Sequence, residues 1–239
     1  MELIFLGRGA AFNPKEGNNS AYFIDNVEIF LIDCGESVFE KLIENDLLSN
    51  VTKVNLMITH THSDHIGSLG SLVSYVYYAL NKKLNIILPM EPRYLSSIEN
   101  ILSCFDCSSE MYEYKNERDY DNKYKLFNSI RFIETKHKDG LNCYGIIFDT
   151  EKGIVYYSGD TREANIIKTL ITGNQLIDKL YVDTTTANYP GNVHLNIDTL
   201  KAAIPEELIH KVYCMHINDD NCIKVALDYG FNVVEVLKG

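Results

Sequence analysis

The sequence predicts an α/β protein built as a four-layer αββα sandwich, in which two sheets pack face to face and helices cover both outer surfaces. Strand-like and helix-like segments alternate along the chain, which favours a layered architecture. This pattern occurs twice, because each half of the chain has several strands followed by helices. At 239 residues the chain fits one generous domain, and we expect residues 1–239 to form it.

The first half alternates short apolar segments with amphipathic ones. Predicted strands cover Glu2–Leu6, Ala21–Asp25, Glu28–Asp33, Val54–Thr59 and Leu84–Leu88. Predicted helices cover Ser37–Asn45, Ile66–Leu80 and Pro92–Ser103. Val38 and Leu42 fall on one face of the first helix, as the helical period requires. Pro89 ends the last strand, since proline cannot donate to a sheet.

The second half repeats the pattern. Residues 111–133 are strand-like and rich in tyrosine, and further strands are predicted at Cys143–Phe148, Ile154–Ser158, Lys179–Asp183 and Val212–His216. Helices are predicted at Arg162–Ile171 and Asn218–Tyr229. The tyrosine-rich tract, residues 104–128, has mixed charge, and the sequence leaves open whether it is a lid or a subunit contact.

Composition excludes some classes of protein. The formal charge of −11 argues against a broad surface for extended nucleic acid, although two divalent metals would add four positive charges at the site. No apolar run reaches 18 residues, and the N-terminus shows no basic region or cleavage site, so we expect a cytoplasmic protein without a membrane span. The six cysteines are expected to be reduced, and Cys104 with Cys107 is a weak metal or redox signal.

The strongest chemical signal lies between the predicted strand Val54–Thr59 and the helix that follows. His60, His62, Asp64 and His65 fall within six residues, and the chain has only seven histidines. Imidazole and carboxylate are the usual ligands of zinc and related metals. Alternation in an extended loop places His60 and His62 on one side, while the turn into the helix carries Asp64 and His65 to a second point. The loop therefore predicts two neighbouring metal sites.

This loop resembles the signature of the metallo-β-lactamase superfamily, and the rest of the chain follows the order of motifs in that family. By the same resemblance Asp33 orients the loop histidines, while His137, Asp160 and His216 are the later metal ligands. Seen alone, each later residue has an ordinary structural explanation; their order relative to the loop favours the metal role.

The resemblance implies how the metals are shared. One would take His60, His62 and His137, the other Asp64, His65 and His216, with Asp160 bridging them. Such metals lower the pKa of a bound water from about 15.7 toward about 7, which makes a nucleophile, and Asp64 is a candidate to steer or accept its proton. Zinc is the favoured metal, and manganese suits the same ligands.

Two further segments resemble the ribonuclease Z-like branch, whose members hydrolyse phosphodiesters. Ser158-Gly159-Asp160-Thr161-Arg162 is similar to a motif of that branch. Asp183 and His194 stand where the branch has a glutamate and a catalytic histidine. The resemblance implies that His194 protonates the leaving oxygen or stabilises phosphate charge, and that Asp183 holds it. His194 packing beside its own loop is the alternative.

The chain also departs from ribonuclease Z. His137 and Asp160 are only 23 residues apart, which leaves room for two strands and no tRNA-binding arm. A compact substrate such as a cyclic nucleotide therefore suits the chain better, as in the short phosphodiesterases that include phage anti-Pycsar enzymes. Processing of tRNA 3′ ends and hydrolysis of another bond, such as a β-lactam, stay as alternatives.

Other aromatic residues and one histidine have weaker interpretations. Tyr75, Tyr77 and Tyr78 follow the metal loop, where they would stack a base or, more commonly, pack in a core or a dimer contact. Related enzymes are commonly dimers, so a homodimer is expected. His210 has no motif partner and is interpreted as a surface residue.

Overall fold

The structure is a computed structural model that describes residues 1–173 and 175–237; residues 174, 238 and 239 of the predicted domain lie outside it. The first sheet contains β1 (Ile4–Gly7), β2 (Ser20–Asp25), β3 (Glu28–Ile32), β4 (Lys53–Met57), β5 (Leu84–Leu88) and β6 (Tyr112–Asn116) in chain order. β1, β2 and β3 are antiparallel, and β3 to β6 are parallel.

The second sheet repeats this arrangement. It contains β7 (Ser129–Glu134), β8 (Tyr144–Thr150), β9 (Gly153–Tyr157), β10 (Ile177–Asp183), β11 (Val212–Met215) and β12 (Asn232–Val233), again in chain order. β7, β8 and β9 are antiparallel, whereas β9 to β12 are parallel. The prediction of two similar halves is confirmed.

Helices cover the outer face of each sheet. The first sheet carries α1 (Val38–Glu44), α2 (Ser63–Ile66), α3 (Leu69–Ser74) and α4 (Pro92–Cys104). The second carries α5 (Asn165–Thr172), α6 (Ile197–Ala203) and α7 (Asp220–Asp228). Short 3₁₀ turns span Pro14–Glu16, Glu117–Tyr120 and Glu206–Lys211, and a π-helical turn spans Tyr75–Ala79. No helix within the described ranges is long and apolar enough to cross a membrane.

Alternation along the central strands divides the core into three layers. In β3, Ile29 and Leu31 pack under the helices of the first half, whereas Phe30 packs between the sheets. In β9, Val155 and Tyr157 also enter the layer between the sheets, while Tyr156 packs under the helices of the second half. Successive strand residues face opposite sides, so an almost unbroken apolar strand serves two core layers at once. The αββα prediction is confirmed.

The helix prediction fails in two places. The helix expected over Ile66–Leu80 is interrupted near Ser68, whose hydroxyl donates to the carbonyl of Gly35 at 2.5 Å instead of leaving the backbone regular. Helix α6 was not predicted, although Asn196 caps it by accepting hydrogen bonds from the amides of Asp198 and Thr199.

The tyrosine-rich tract is part of the core. Tyr120 is buried, and its hydroxyl donates to Asn55 Oδ1 at 3.0 Å. Tyr124 and Phe127 pack edge-on against Phe30, with ring centroids 5.0 and 5.5 Å away. Of the two alternatives left open by the sequence, a lid is wrong for these three side chains, because they fill the space between the sheets.

Candidate metal centre

The predicted ligands meet at one edge of the sandwich, where the parallel strands of both sheets end. His60 follows β4, Asp160 follows β9 and His216 follows β11. His137 follows β7, which runs in the same direction as β9 because both are antiparallel to β8. The carboxyl ends of parallel strands converge on one edge, and this placement joins residues that are far apart in sequence.

The first cluster contains His60, His62 and His137. The Nδ1 atom of His62 lies 3.1 Å from Nε2 of His60 and 3.3 Å from Nε2 of His137. His137 Nδ1 lies 2.8 Å from the carbonyl of Val193, to which it donates, so its Nε2 carries a lone pair. Together with a carboxylate oxygen of Asp160, these nitrogens lie within 4.8 Å of one another.

The second cluster contains Asp64, His65 and His216. Asp64 Oδ2 lies 3.4 Å from His65 Nε2 and 3.3 Å from His216 Nε2. Asp160 belongs to this cluster as well, since its Oδ1 lies 3.3 Å from His65 Nε2 and its Oδ2 lies 3.4 Å from His216 Nε2. Asp160 is thus common to both clusters, as a bridging carboxylate would be.

Asp33 and Thr59 hold the loop histidines from behind. Asp33 Oδ2 accepts from His65 Nδ1 at 2.8 Å and from the Thr59 hydroxyl at 2.7 Å. The Thr59 oxygen in turn accepts from His60 Nδ1 at 3.1 Å. Both imidazoles are therefore fixed with Nε2 toward the clusters, as the predicted orienting role of Asp33 requires.

Gly35 lets the metal loop approach the turn after β3. A Cβ built on Gly35 would collide with the carbonyl oxygen of Asp64 and would lie 2.7 Å from the Cβ of Asn18. The amide of Cys34 also donates to the carbonyl of His65 at 2.7 Å. The absence of a side chain at position 35 is therefore a condition for placing Asp64 and His65 in the second cluster.

A buried cation fits this set of atoms. His65 Nε2 and Asp160 Oδ1 are buried and have no hydrogen-bond partner within the described part of the chain. Leaving such groups unpaired costs on the order of 1–3 kcal/mol each. Nitrogen lone pairs and carboxylate oxygens that face one point are the donor set of a divalent metal site, so the His/Asp cluster is capable of binding metal.

The buried histidines have pKa values that are shifted in opposite directions. Burial lowers the pKa of His60 well below its usual value, and neighbouring His65 lowers it further. Burial also opposes protonation of His65 and His216, but Asp160 and the other neighbouring carboxylates together outweigh it. They raise the pKa of His65 well above its usual value and that of His216 to about 10. A metal entering the second cluster must therefore displace protons, which links its binding to pH.

His194 and Asp183 lie beside the clusters as an oriented pair. Asp183 is buried, and its Oδ2 accepts from His194 Nδ1 and from the amide of Thr161, each at 2.9 Å. The His194 ring stacks on His216 with centroids 4.8 Å apart and lies 4.9 Å from His137. The same atoms also form a third possible ligand group of Asp160, Asp183, His194 and His216.

Solvent reaches the centre at His62 and His194. His62 is half-buried and the His194 side chain is 26% exposed, whereas the other members of the clusters are buried. A cavity of about 450 Å³ lies beside His137 and is lined partly by Arg93, Lys138 and Arg162. A second cavity of about 310 Å³ lies beside His194. A substrate must reach the metals from this side.

The weaker sequence signals lie elsewhere. His210 is exposed, as predicted. Cys104 is exposed, Cys107 is buried, and all six cysteines are free. The ring of Tyr75 packs against that of Phe39, with centroids 5.6 Å apart, whereas Tyr78 is 76% exposed on the π-helical turn. The sequence assigned no role to Asn19, whose side chain accepts from the amide of His216 at 3.3 Å and donates to the Tyr157 hydroxyl at 2.8 Å.

Two facing mixed sheets with a shared His/Asp cluster at one edge define a metal-dependent hydrolase of the metallo-β-lactamase superfamily. The metallo-β-lactamase fold protein YhfI from Bacillus subtilis has the same fold: it superposes with a TM-score of 0.72 at 18% identity, over 99% of this chain and 95% of that one.

The chain belongs to the family of the anti-Pycsar protein Apyc1, whose model matches residues 1–232. The anti-Pycsar protein Apyc1 of Bacillus phage 010DV004 is 30% identical over 245 residues, which cover 92% of this chain and 90% of that protein. A ribonuclease Z of Methanococcus aeolicus is 32% identical over 156 residues, covering 64% of this chain and 48% of that one. The predicted branch of the superfamily is confirmed.

Proposed function

We propose that the protein is a two-metal phosphodiesterase that cleaves small diesters, with cyclic nucleotides as its substrates. The single observation that carries this proposal is the His194–Asp183 pair, 2.9 Å apart, at the open side of the clusters. Hydrolysis of an alkyl phosphodiester expels an alkoxide, which is a poor leaving group without a proton donor. The His194–Asp183 pair would supply that donor next to the candidate metal ligands.

The metal assignment follows the two clusters. His60, His62 and His137 would hold one ion, Asp64, His65 and His216 the other, and Asp160 would bridge them. When bound, two divalent ions, zinc for preference or manganese, would acidify a water and neutralise charge on the phosphate. Asp64 would in addition accept the proton of the attacking water.

His194 would donate its proton to the leaving oxygen. Its Nδ1 is bound by Asp183, so its Nε2 is the atom left to face a substrate. Asp183 would fix the ring through Nδ1–H and stabilise the imidazolium, the only form of the ring that also carries a proton on Nε2. The direct pairing of His194 with Asp183 favours this role over the third possible metal group.

A small substrate fits the surroundings better than tRNA. Between His137 and Asp160 the chain forms only β8, β9 and short connections, which offer no arm to grip a folded RNA. The charge of −11 would repel a long polyanion. Relatives named anti-Pycsar protein match over nine-tenths of the chain, whereas the ribonuclease Z of Methanococcus aeolicus matches over 64%.

The same proposal covers the organisation of the protein. We infer one domain over residues 1–239, since the core layer between the sheets draws on strands of both halves. We also infer a cytoplasmic homodimer: the free cysteines agree with a reducing compartment, and exposed Tyr78 and Phe105 offer apolar contact area. Light scattering on the purified protein tests the dimer.

The activity test compares leaving groups. Protein loaded with zinc or manganese is incubated with 3′,5′-cyclic nucleotides, bis(p-nitrophenyl) phosphate, precursor tRNA and nitrocefin. We expect hydrolysis of cyclic and model diesters, abolished by Asp64→Ala. His194→Ala should lower kcat/KM for cyclic nucleotides by about 10²–10⁴-fold. The loss should be far smaller for bis(p-nitrophenyl) phosphate, because its leaving group, p-nitrophenolate, departs without a proton.

The outcomes separate the alternatives. His210→Ala is the matched control, because it removes an exposed imidazole outside the clusters. Equal losses on both diesters in His194→Ala would show that His194 is not the acid. Processing of tRNA alone would favour the ribonuclease Z-like alternative. Turnover of nitrocefin without diester cleavage would overturn the phosphodiesterase proposal and leave the metal clusters.

A further inference from the structure

The cavity beside His194 has two pre-formed walls. We call it the ring niche. Residues 10–12 form its first wall, Ala187, Tyr189, Asn192 and Val193 form its second, and His194 also lines it. Its volume of about 310 Å³ is at the lower end of the range of small-molecule sites. The niche opens from the candidate catalytic acid itself, so a ligand in it would adjoin the reacting atoms.

The first wall presents an exposed aromatic ring on a fixed turn. Phe12 is 99% exposed. The turn that carries it is tied to the loop after His216, because the amide of Ala10 and the side chain of Asn13 both donate to the carbonyl of Ile217 at 3.0 Å. Together with Tyr189, which lines the same cavity, Phe12 forms an exposed apolar surface of the kind that marks ligand grooves.

The second wall presents another ring and is braced by Asn192. Tyr189 is 59% exposed. The Asn192 amide donates to the carbonyls of Ala187 and His194, each at 3.0 Å, and its oxygen accepts from the amide of His194 at 3.2 Å. The same bracing therefore fixes the wall and the backbone of His194, which reduces the cost of ordering the site around a ligand.

The lining is neutral. Apart from His194, the residues around the ring niche carry no ionisable side chain except the Tyr189 phenol, in the part of the chain that the structure describes. Its polar groups are those of Thr185, Asn192 and Asn218. A phosphate or carboxylate would find no cationic partner here, whereas a flat uncharged ring would find two aromatic side chains and several methyl groups.

We propose that the ring niche binds the base of the nucleoside that carries the leaving oxygen. This inference rests on the proposed phosphodiesterase function, because His194 would face that oxygen and the nucleoside would extend from it into the niche. Stacking on Phe12 and Tyr189 accepts any base, since each base has a π-face. The site would favour purines over pyrimidines by contact area and discriminate little among purines.

Binding to the metal-loaded protein tests the niche without turnover. The probe is 2-aminopurine riboside 5′-monophosphate, a fluorescent monoester that is not a diester substrate. Its fluorescence should be quenched on binding, and Phe12→Ala and Tyr189→Ala should each raise its Kd by roughly 5- to 100-fold, the range of one lost base stack. Phe12→Tyr should retain binding, because it keeps an aromatic ring.

Tyr78→Ala is the matched control, since Tyr78 is 76% exposed but lines none of the cavities beside the clusters. Unchanged Kd values in Phe12→Ala and Tyr189→Ala, or a loss in Tyr78→Ala alone, would overturn the proposal. Phe12 makes little contact with the folded chain, so an unchanged melting temperature is expected and would exclude misfolding as the cause.

Kinetics separate the niche from the reaction. The ratio of kcat/KM for a cyclic nucleotide to that for base-less ribose 3′,5′-cyclic phosphate should fall by roughly 5- to 100-fold in Phe12→Ala. An unchanged ratio with active enzyme would overturn the niche and leave the phosphodiesterase intact. Failure of the metal-loaded protein to cleave any cyclic phosphate would overturn the proposed function, while the fluorescence experiment would still decide the niche.

Discussion

The two halves of the molecule share one strand arrangement but contribute to the metal centre in different ways. In each sheet, three antiparallel strands lead into parallel ones. The first half supplies four candidate ligands from one loop, residues 60–65. The second half supplies His137, Asp160 and His216 from the ends of three different strands.

This difference indicates two ways of building a site. The loop of the first half owes its geometry to nearby contacts, chiefly those of Asp33, Thr59 and Gly35. The ligands of the second half owe theirs to the sheet, because each lies where a strand stops. Substitutions in the first half should therefore affect metal binding by changing the shape of the loop. Substitutions in the second half should affect it by removing single ligands.

The largest loss of activity is expected from a substitution of Asp160, which belongs to both clusters. Asp160→Asn removes charge from both clusters at once, so several kcal/mol of charge stabilisation should be lost and kcat/KM should fall by at least about 10³-fold. Metal content, measured by mass spectrometry after gel filtration, should fall at both sites. Asp228→Asn, at an exposed carboxylate at the end of α7, is the control. Retention of both metals would contradict the bridging role.

A smaller effect is expected from Gly35→Ala, which tests the dependence of the first half on loop shape. The added Cβ must displace the Asp64 carbonyl, so the free energy of unfolding should fall by about 1–3 kcal/mol. That lowers the melting temperature by roughly 2–12 °C for a chain of this size. Calorimetry measures it, and metal analysis should show loss from the second cluster. An unaffected protein would mean that the loop tolerates displacement.

Thr59→Val tests the support behind His60. The change removes the oxygen that joins His60 Nδ1 to Asp33, and loss of such a support typically weakens metal binding by about 10- to 100-fold. Thr59→Ser keeps the hydroxyl and should bind metal normally. Competition with a chromophoric chelator measures the affinity. Equal affinities in the two variants would show that His60 needs no such support.

The smallest effect is expected from Tyr120→Phe, in the tract that connects the two sheets. Loss of the hydrogen bond to Asn55 should lower the free energy of unfolding by about 1 kcal/mol. Activity should stay within about twofold, because the tyrosine lies in the core. A large loss of activity with an unchanged melting temperature would return this tract to the role of a lid.

The sequence predicted what local patterns encode. The loop at residues 60–65 was recognisable because four ligands of one kind of chemistry stand together after an apolar strand. The layered fold followed from alternating strands and helices, and the central strands are correctly placed within one or two residues. The later ligands were predicted from a resemblance, since a lone histidine such as His137 carries little information by itself.

Other features depended on tertiary structure and were not predictable. Asn19 accepts a hydrogen bond from the amide of His216, which is 197 positions away in sequence, and no local pattern predicts such a contact. The break near Ser68 arises because its hydroxyl bonds to Gly35 of a neighbouring turn. The positions of Tyr120 and Tyr124 between the sheets were open for the same reason: aromatic residues suit a core, a lid and an interface alike.

The long separation between the halves has a consequence for how the protein is made. His216 meets Asp64 across 152 positions, and the amide of Leu3 meets the Tyr181 hydroxyl across 178. Such distant pairings form slowly, because bringing the two ends of a long chain segment together costs conformational entropy before any contact stabilises them. During synthesis the loop of residues 60–65 therefore leaves the ribosome long before its partners. A chain that stops short of residue 216 would carry the most recognisable motif of the protein without a complete second cluster.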